Sequence, residues 1–388
     1  MRTMLRTCVL MVACVSATCA VAQQPRPPGN DPFSQGKFEE AEQSFRAALE
    51  KNPGDARALA GLARAALFDD KVDEAINLAD KALAISPGDP VATRTRMIAL
   101  ERKAAFGPDT FNFTLDRPVA IKFDQIDPLP VVSVTIGTRQ AKFLLDTGGP
   151  NVTVTRALAE ELGLPLTDGP MGTFAGGRQA RTQRTLIPEF ALGSLKISNV
   201  PAGVLELGGM PVDGIIGSGL LMHFLSTIDY CNGELILAPR ADSATFQQQA
   251  SATGANVGRM WLMGDHFILT RARFNDAPEG IFMVDTGFAG GGLLGTREAL
   301  EEAGIEIDAS KVVTGIGGGG AVQGIPFVAS ATWGNLTRDN ITGRYNLGGG
   351  QFGIFPFRMN GMLSHQFFRT SRLTFDFETM RMVTQECI

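Results

Sequence analysis

Lys142-Phe143-Leu144-Leu145-Asp146-Thr147-Gly148 and Ile281-Phe282-Met283-Val284-Asp285-Thr286-Gly287 are two apolar, strand-length runs. Each ends in Asp-Thr-Gly, and they lie 139 residues apart. A glycine-containing loop and a short helical pattern follow each. The first helical pattern is Ala157-Leu158-Ala159-Glu160-Glu161-Leu162-Gly163 and the second is Ala299-Leu300-Glu301-Glu302-Ala303-Gly304. A glycine-rich candidate hairpin comes next in both, residues 172–178 and 315–320. Both copies close on a Gly-apolar-apolar turn, a Leu/Phe-rich helix and an Asp-aromatic strand. The first closes from Gly214-Ile215-Ile216-Gly217 to Ile228-Asp229-Tyr230, the second from Gly361-Met362-Leu363-Ser364 to Phe375-Asp376-Phe377, now 147 residues apart. One order kept through so many matches marks an internal duplication.

The duplicated motif has a chemical reading of its own. Hydrolysing an amide without a metal or a covalent nucleophile requires a general base and a general acid on one water. Two carboxyl groups close together supply both, because like charges about 3 Å apart cannot both ionise. The glycine after each Asp-Thr permits a tight turn and close backbone approach. The threonine hydroxyl can bond across an interface between the two copies. A duplication is an economical way to set two such loops face to face.

These residues resemble the pepsin/retropepsin family of aspartic peptidases in its single-chain, two-lobed form, over roughly residues 111–388. The brevity of each copy is closer to the retropepsin-like lobes. The resemblance implies an all-β two-lobed fold with pseudo-twofold symmetry, lobe 1 at 111–240 and lobe 2 at 255–388. It implies that Asp146 and Asp285 are the catalytic dyad, supported by Thr147, Gly148, Thr286 and Gly287. The glycine-rich hairpins become flaps that clamp an extended peptide through main-chain hydrogen bonds. Their candidate tips are Phe174, Ala175, Gly176 and Gly177 in one copy and Gly317, Gly318, Gly319 and Gly320 in the other. Neither tip carries a tyrosine. No acidic specificity pocket is visible, so cleavage between apolar residues is expected. One chain carries both aspartates, so a monomer is the expected active unit. Three positions depart from the family pattern. Gly149 and Phe288 stand where a small or hydroxyl residue is usual after Asp-Thr-Gly, and Ser364 stands where glycine is usual. A missing hydroxyl at the first two positions would move the pH optimum upward or weaken catalysis.

Upstream the pattern changes. Arg2 and Arg6, an apolar stretch at 7–17 and Ala20-Val21-Ala22 read as a secretory signal peptide over residues 1–22. That apolar core is too short for a finished transmembrane helix. A lipoprotein form retaining Cys14 is the alternative. Residues 23–32, rich in Gln and Pro, read as a linker. Over 33–105, apolar residues recur at helical spacing and the stretch repeats at 34 residues. Glu40-Ala41 matches Glu74-Ala75, and Asn52-Pro53-Gly54-Asp55 matches Ser86-Pro87-Gly88-Asp89. That period and pattern resemble the tetratricopeptide repeat. Fewer than three units are visible, so docking onto the next domain is expected to cover the missing face. A plain helical hairpin bundle is the other reading. The whole chain is therefore expected to be α+β and multidomain.

Composition narrows the function. Glycine is 45 of 388 residues, above the usual ~7% and without a Gly-X-Y period, which fits a turn-rich β protein. A net charge of −5 without a long basic run argues against a nucleic-acid partner. His223, His266 and His365 are isolated and lack metal-ligand spacing, so neither a metal nor another cofactor is expected. Residues 315–320 formally fit Gly-x-Gly-x-x-Gly. Gly324 and Pro326 follow where a dinucleotide site needs a helix. Asp213, Asp229 and Asp376 read as structural turn residues. Removal of residues 1–22 leaves Cys231 and Cys387, an even count that permits one disulfide in an oxidising compartment. Two functions follow. One is an exported aspartic endopeptidase, periplasmic or secreted, whose helical repeat positions a peptide or protein substrate or a partner. The other is a catalytically weak or inactive peptide-binding scaffold acting through the repeat.

Overall fold

The computed structural model describes residues 31–105, 107, 110–173, 179–207, 210–317, 320–347 and 352–387. The expected signal peptide lies outside them, as does all of the expected linker except Asp31 and Pro32. Those two already belong to an ordered turn, with Gln35 N donating to Asp31 O and Lys37 N to Pro32 O.

Four antiparallel helices make two helix pairs: α1 (Phe38–Lys51), α2 (Ala56–Phe68), α3 (Val72–Ile85) and α4 (Pro90–Ala105). The repeated Pro-Gly-Asp supplies both a stop and a start. Proline and glycine end one helix, and the aspartate caps the next. Asp55 accepts from Ala58 N at 3.0 Å and Asp89 from Ala92 N at 2.8 Å. Buried alanines at 60, 63, 79, 82 and 92 let the helix axes approach closely.

Two pairs leave one face uncovered, and the β region covers it. Phe33, Phe38 and Phe68 form an aromatic cluster with Trp261 and Phe357, with ring centroids 4.9–6.1 Å apart. Polar contacts rim it. Arg259 bonds Asp69 and Arg271 bonds Glu39, both at 2.8 Å.

The β region has two lobes that repeat the same strand pairings, with the short strand Asn112–Phe113 added in lobe 1. In lobe 1 the strand Arg139–Asp146 runs parallel to Gly214–Gly217, which brings Asp146 level with Gly217. In lobe 2 the strand Gly280–Asp285 runs parallel to Gly361–Ser364, which brings Asp285 level with Ser364. Short strands Val152–Thr155 and Leu293–Gly295 complete each motif, with one antiparallel and one parallel neighbour. The expected helices form at Arg156–Glu161 and Arg297–Glu302, capped by Thr155 and Thr296.

Among the described residues, six antiparallel strands join the lobes. Their order is Val119–Gln125, Glu234–Ala238, Leu225–Asp229, Ser371–Asp376, Arg381–Glu386, Asn256–Met263. At the centre Thr227 lies opposite Thr374, their hydroxyls 2.8 Å apart, on the pseudo-twofold axis. Asp229 and Asp376 are fully buried here and bind local turn groups, as structural residues should. Cys231 and Cys387 are bonded across the lobes.

Two features were not anticipated. The segment Ser243–Ala252 between the lobes is a helix. Its run of glutamines gives no clear apolar stripe, and only Ser243 and Ala250 are buried. The proline-marked segment before residue 131 also holds the strand Val119–Gln125. Its alternation is weak because it lies near the edge of the inter-lobe sheet. Among the described residues, no helix is long and apolar enough to cross a membrane.

Cys231→Ser should lower stability by about 2–4 kcal/mol, since the bond closes a long loop. Urea unfolding with and without reductant measures this, and the variant should not respond to reductant. Phe38→Ala, which empties the centre of the docking cluster, should cost about 3–5 kcal/mol in the same assay.

Candidate active site

The duplication brings Asp146 and Asp285 together at the base of the inter-lobe cleft. Each Asp-Thr-Gly turn is held by its own backbone: Gly148 N donates to Asp146 Oδ1 at 2.8 Å, and Gly287 N to Asp285 Oδ1 at 2.9 Å. The threonines cross. Thr147 Oγ1 donates to Val284 O at 2.9 Å and accepts from Thr286 N at 3.1 Å. Thr286 Oγ1 donates to Leu145 O at 3.0 Å and accepts from Thr147 N at 3.1 Å. Both threonines are fully buried.

The glycines are required sterically. A Cβ on Gly148 would lie 2.5 Å from the carboxyl carbon of Asp285, and one on Gly287 would overlap the carboxyl of Asp146. Each turn therefore faces the other lobe's acid across a gap that only hydrogen fits. The carboxyl groups meet there as hydrogen-bond partners. Both side chains keep partial solvent access from the cleft. Burial pushes Asp285 well above the ordinary carboxylate range, and the adjacent Asp146 charge adds to it. Burial also raises Asp146, but the hydrogen bond from Asp285, the Gly148 and Gly149 amides and the charge of His266 oppose the rise. The two carboxyls titrate as a pair that shares one proton, and Asp285 is the more strongly raised. Such a pair can activate a water with one carboxyl and protonate a leaving nitrogen with the other.

The departures from the family pattern have local causes. A Cβ on Gly149 would press on Ile215 at 3.2 Å. Phe288 turns away from the acids and joins the apolar cluster under the helical repeat. Ser364 Oγ donates to Phe288 O at 2.6 Å and pins that turn. In lobe 1 the corresponding contact comes from Ser218 Oγ, 3.4 Å from Gly149 O.

The candidate tips are only partly described. Gly317 and Gly320 pair across the end of the hairpin formed by Val313–Gly317 and Gly320–Trp333. Gly318 and Gly319 lie outside the described residues, as do Phe174, Ala175, Gly176 and Gly177. The glycine run at 315–320 is a hairpin with no helix after it, which removes the dinucleotide reading.

Two inter-lobe contacts escaped the sequence reading. Asp127 pairs with Arg369 at 2.9 Å and lies 3.2 Å from Nε2 of the buried His365. His266 O accepts from Ser218 Oγ at 2.6 Å. Asp213 accepts from Lys142 N at 2.8 Å, within the closing turn as expected. His223 is buried beside Phe111, and its ionisation is suppressed by burial to about 3.

Residues 132–220 match the family model described as aspartyl protease, and residues 29–90 match the one described as tetratricopeptide repeat. No curated protein matches the chain. Among solved structures, the chain is similar to a retropepsin-like aspartic protease from Rickettsia conorii, at 21% identity over 33% of this chain and 96% of that one, TM-score 0.27. It is also similar to an aspartic proteinase from Irpex lacteus, at 14% identity over 70% and 97% of the two chains, TM-score 0.43. Basic 7S globulin from soybean gives 13% identity over 71% and 95%, TM-score 0.41. A tetratricopeptide-like helical region thus precedes an aspartyl-protease-like β region in this chain.

Thr147→Val and Thr286→Val should each cost about 1–3 kcal/mol, because each strands buried backbone groups. The double variant should cost less than the sum, since the two residues act as one network. Urea unfolding of the three variants checks this.

Proposed function

We propose that this chain is an exported aspartic endopeptidase that hydrolyses peptide bonds through a water activated by Asp146 and Asp285. The observation that carries the reading is the mutual approach of the two Asp-Thr-Gly turns, with each glycine against the opposite carboxyl. Asp146, the more readily ionised, takes a proton from the water. Asp285 donates its proton to the developing tetrahedral oxygen or the leaving nitrogen. The hairpins bind an extended peptide by strand addition. Ile215 beside the lobe 1 turn favours apolar substrate side chains. Export fits the Cys231–Cys387 bond, since disulfides persist in oxidising compartments.

The helical repeat exposes Ile85, Met97 and Leu100 on its free side, a surface suited to a protein partner. A catalytically weak scaffold is the second reading. Its support is Gly149 and Phe288, neither of which offers a hydroxyl to the acids.

Cleavage of a peptide library and an unfolded protein from about pH 3 to pH 8, with and without pepstatin, tests the peptidase reading. Asp146→Asn and Asp285→Asn should each lower turnover by at least about 10²–10⁴-fold. Retention of turnover in both would sink the dyad. An inactive wild type would favour the scaffold.

The pH dependence follows from the same geometry. Turnover should fall on the acid side as Asp146 gains a proton and on the alkaline side as Asp285 loses one. Because Asp285 is raised, the native state holds a proton that the unfolded state releases. Stability must therefore fall as pH climbs from the ordinary carboxylate value through the elevated one. Asp285→Asn removes that penalty, so it should abolish turnover yet raise the unfolding midpoint at neutral pH.

A further inference from the structure

The turn between the strands Asn256–Met263 and Phe267–Phe274 is held from two sides. From the helical repeat, Arg102 on α4 reaches into it and is almost wholly buried. Its guanidinium donates to Leu262 O at 2.8 Å and to Gly264 O at 2.9 Å. On the repeat side it donates to Leu67 O at 2.6 Å and to Asp70 Oδ1 at 3.2 Å. One side chain thus ties two helices of the repeat to one β-turn of lobe 2. From the other side, Ser218 in lobe 1 donates to His266 O at 2.6 Å. Ser218 Oγ also lies 3.4 Å from Gly149 O, three residues after Asp146.

The seated turn carries a His–Asp hydrogen bond. His266 Nδ1 lies 2.5 Å from Asp265 Oδ1, and the ring rests on Phe267 at 3.8 Å between centroids. The duplication sharpens the contrast. The equivalent turn of lobe 1 carries Asp127, which reaches His365 and Arg369 in lobe 2. Among the described residues, the helix-to-turn anchor is that of Arg102 on the lobe 2 turn.

We propose that the helical repeat belongs to the catalytic unit: Arg102 seats the 263–267 turn against the closing turn of lobe 1, and the seated His266 is a positioning residue that sets the charge environment of Asp146. Its catalytic meaning rests on the peptidase reading above. Positive charge on the His266 ring favours the ionised form of Asp146. The groups around this pair are Asp285 across the dyad, Asp265 on the turn, and Arg102 and Asp70 from the repeat. Asp265, itself exposed, is held below the ordinary carboxylate range by the hydrogen bond and charge of His266, with Arg102 adding to the effect. Asp265 thus stays charged and holds the imidazole ring in its orientation.

The test is a carboxyl ¹³C titration of the full chain, with the Asp146 signal assigned by its loss in Asp146→Asn. His266→Gln leaves the bond from Ser218 intact, because that bond goes to the backbone. It should move the Asp146 titration to higher pH, and His266→Lys should restore it. Asp70→Asn/Arg102→Met removes the anchor without stranding a buried charge and leaves His266 in place. It should move Asp146 the same way. Where turnover is measurable, the acid limb should shift with it. Unfolding midpoints within the transition of the wild type confirm that each variant is folded. An Asp146 titration unchanged in both His266→Gln and Asp70→Asn/Arg102→Met overturns the proposal. A shift in an enzyme without turnover upholds the electrostatic link and sinks only the peptidase reading.

Discussion

The structure depends on keeping two carboxyl groups in contact across a boundary between separately built lobes. Left alone, two buried acids would push the lobes apart, because burial and mutual repulsion disfavour their charges. The crossed hydrogen bonds of Thr147 and Thr286 oppose that at the shortest range, with each hydroxyl spanning from its own turn to the other lobe's strand. The pairing of Thr227 with Thr374, the six-strand inter-lobe sheet and the Cys231–Cys387 bond hold the same boundary farther out. The raised acids are strain stored at the site and offset by these contacts.

The twofold relation is close in the backbone and loose in the side chains. Strand pairing repeats element for element, down to the registers that set Asp146 opposite Gly217 and Asp285 opposite Ser364. The surroundings then diverge. Lobe 1 offers Gly149 against Ile215, while lobe 2 offers Phe288, drawn into the cluster that docks the helices. A symmetric dyad would have no preferred proton carrier. Unequal environments on the two sides separate the roles of two chemically identical groups.

The helical repeat is small for its kind, and its placement follows from that. Two helix pairs cannot bury both faces, so Phe38 and Phe68 use Trp261 and Phe357 where a third pair would pack. The same interface takes Arg102 out of water. A buried guanidinium is stable only when its donors are met, and four carbonyl or carboxylate oxygens meet them. The helices are therefore packed into lobe 2, whereas a spacer would stand free of it.

The chain's own letters determined the duplication, the strand that leads into each Asp-Thr-Gly, the helix after it and the 34-residue helical period. These are local patterns, since apolar alternation, a capping threonine and a Pro-Gly-Asp turn act within a few residues of themselves. The partners of Thr147 and Thr286 were legible as a need but not as specific atoms. The helix Ser243–Ala252 was hidden because its glutamine-rich surface gives no periodic apolar signal. Only tertiary structure decided that Cys231 meets Cys387, because Cα atoms 156 residues apart in sequence must come within bonding reach. Only it decided that Arg102, on a helix of the repeat, meets the turn of lobe 2 that carries His266, and that Ser218 links that turn to the chain just after Asp146. Both residues read as ordinary polar positions, and their meaning comes from contacts that close only when the repeat and the two lobes pack together.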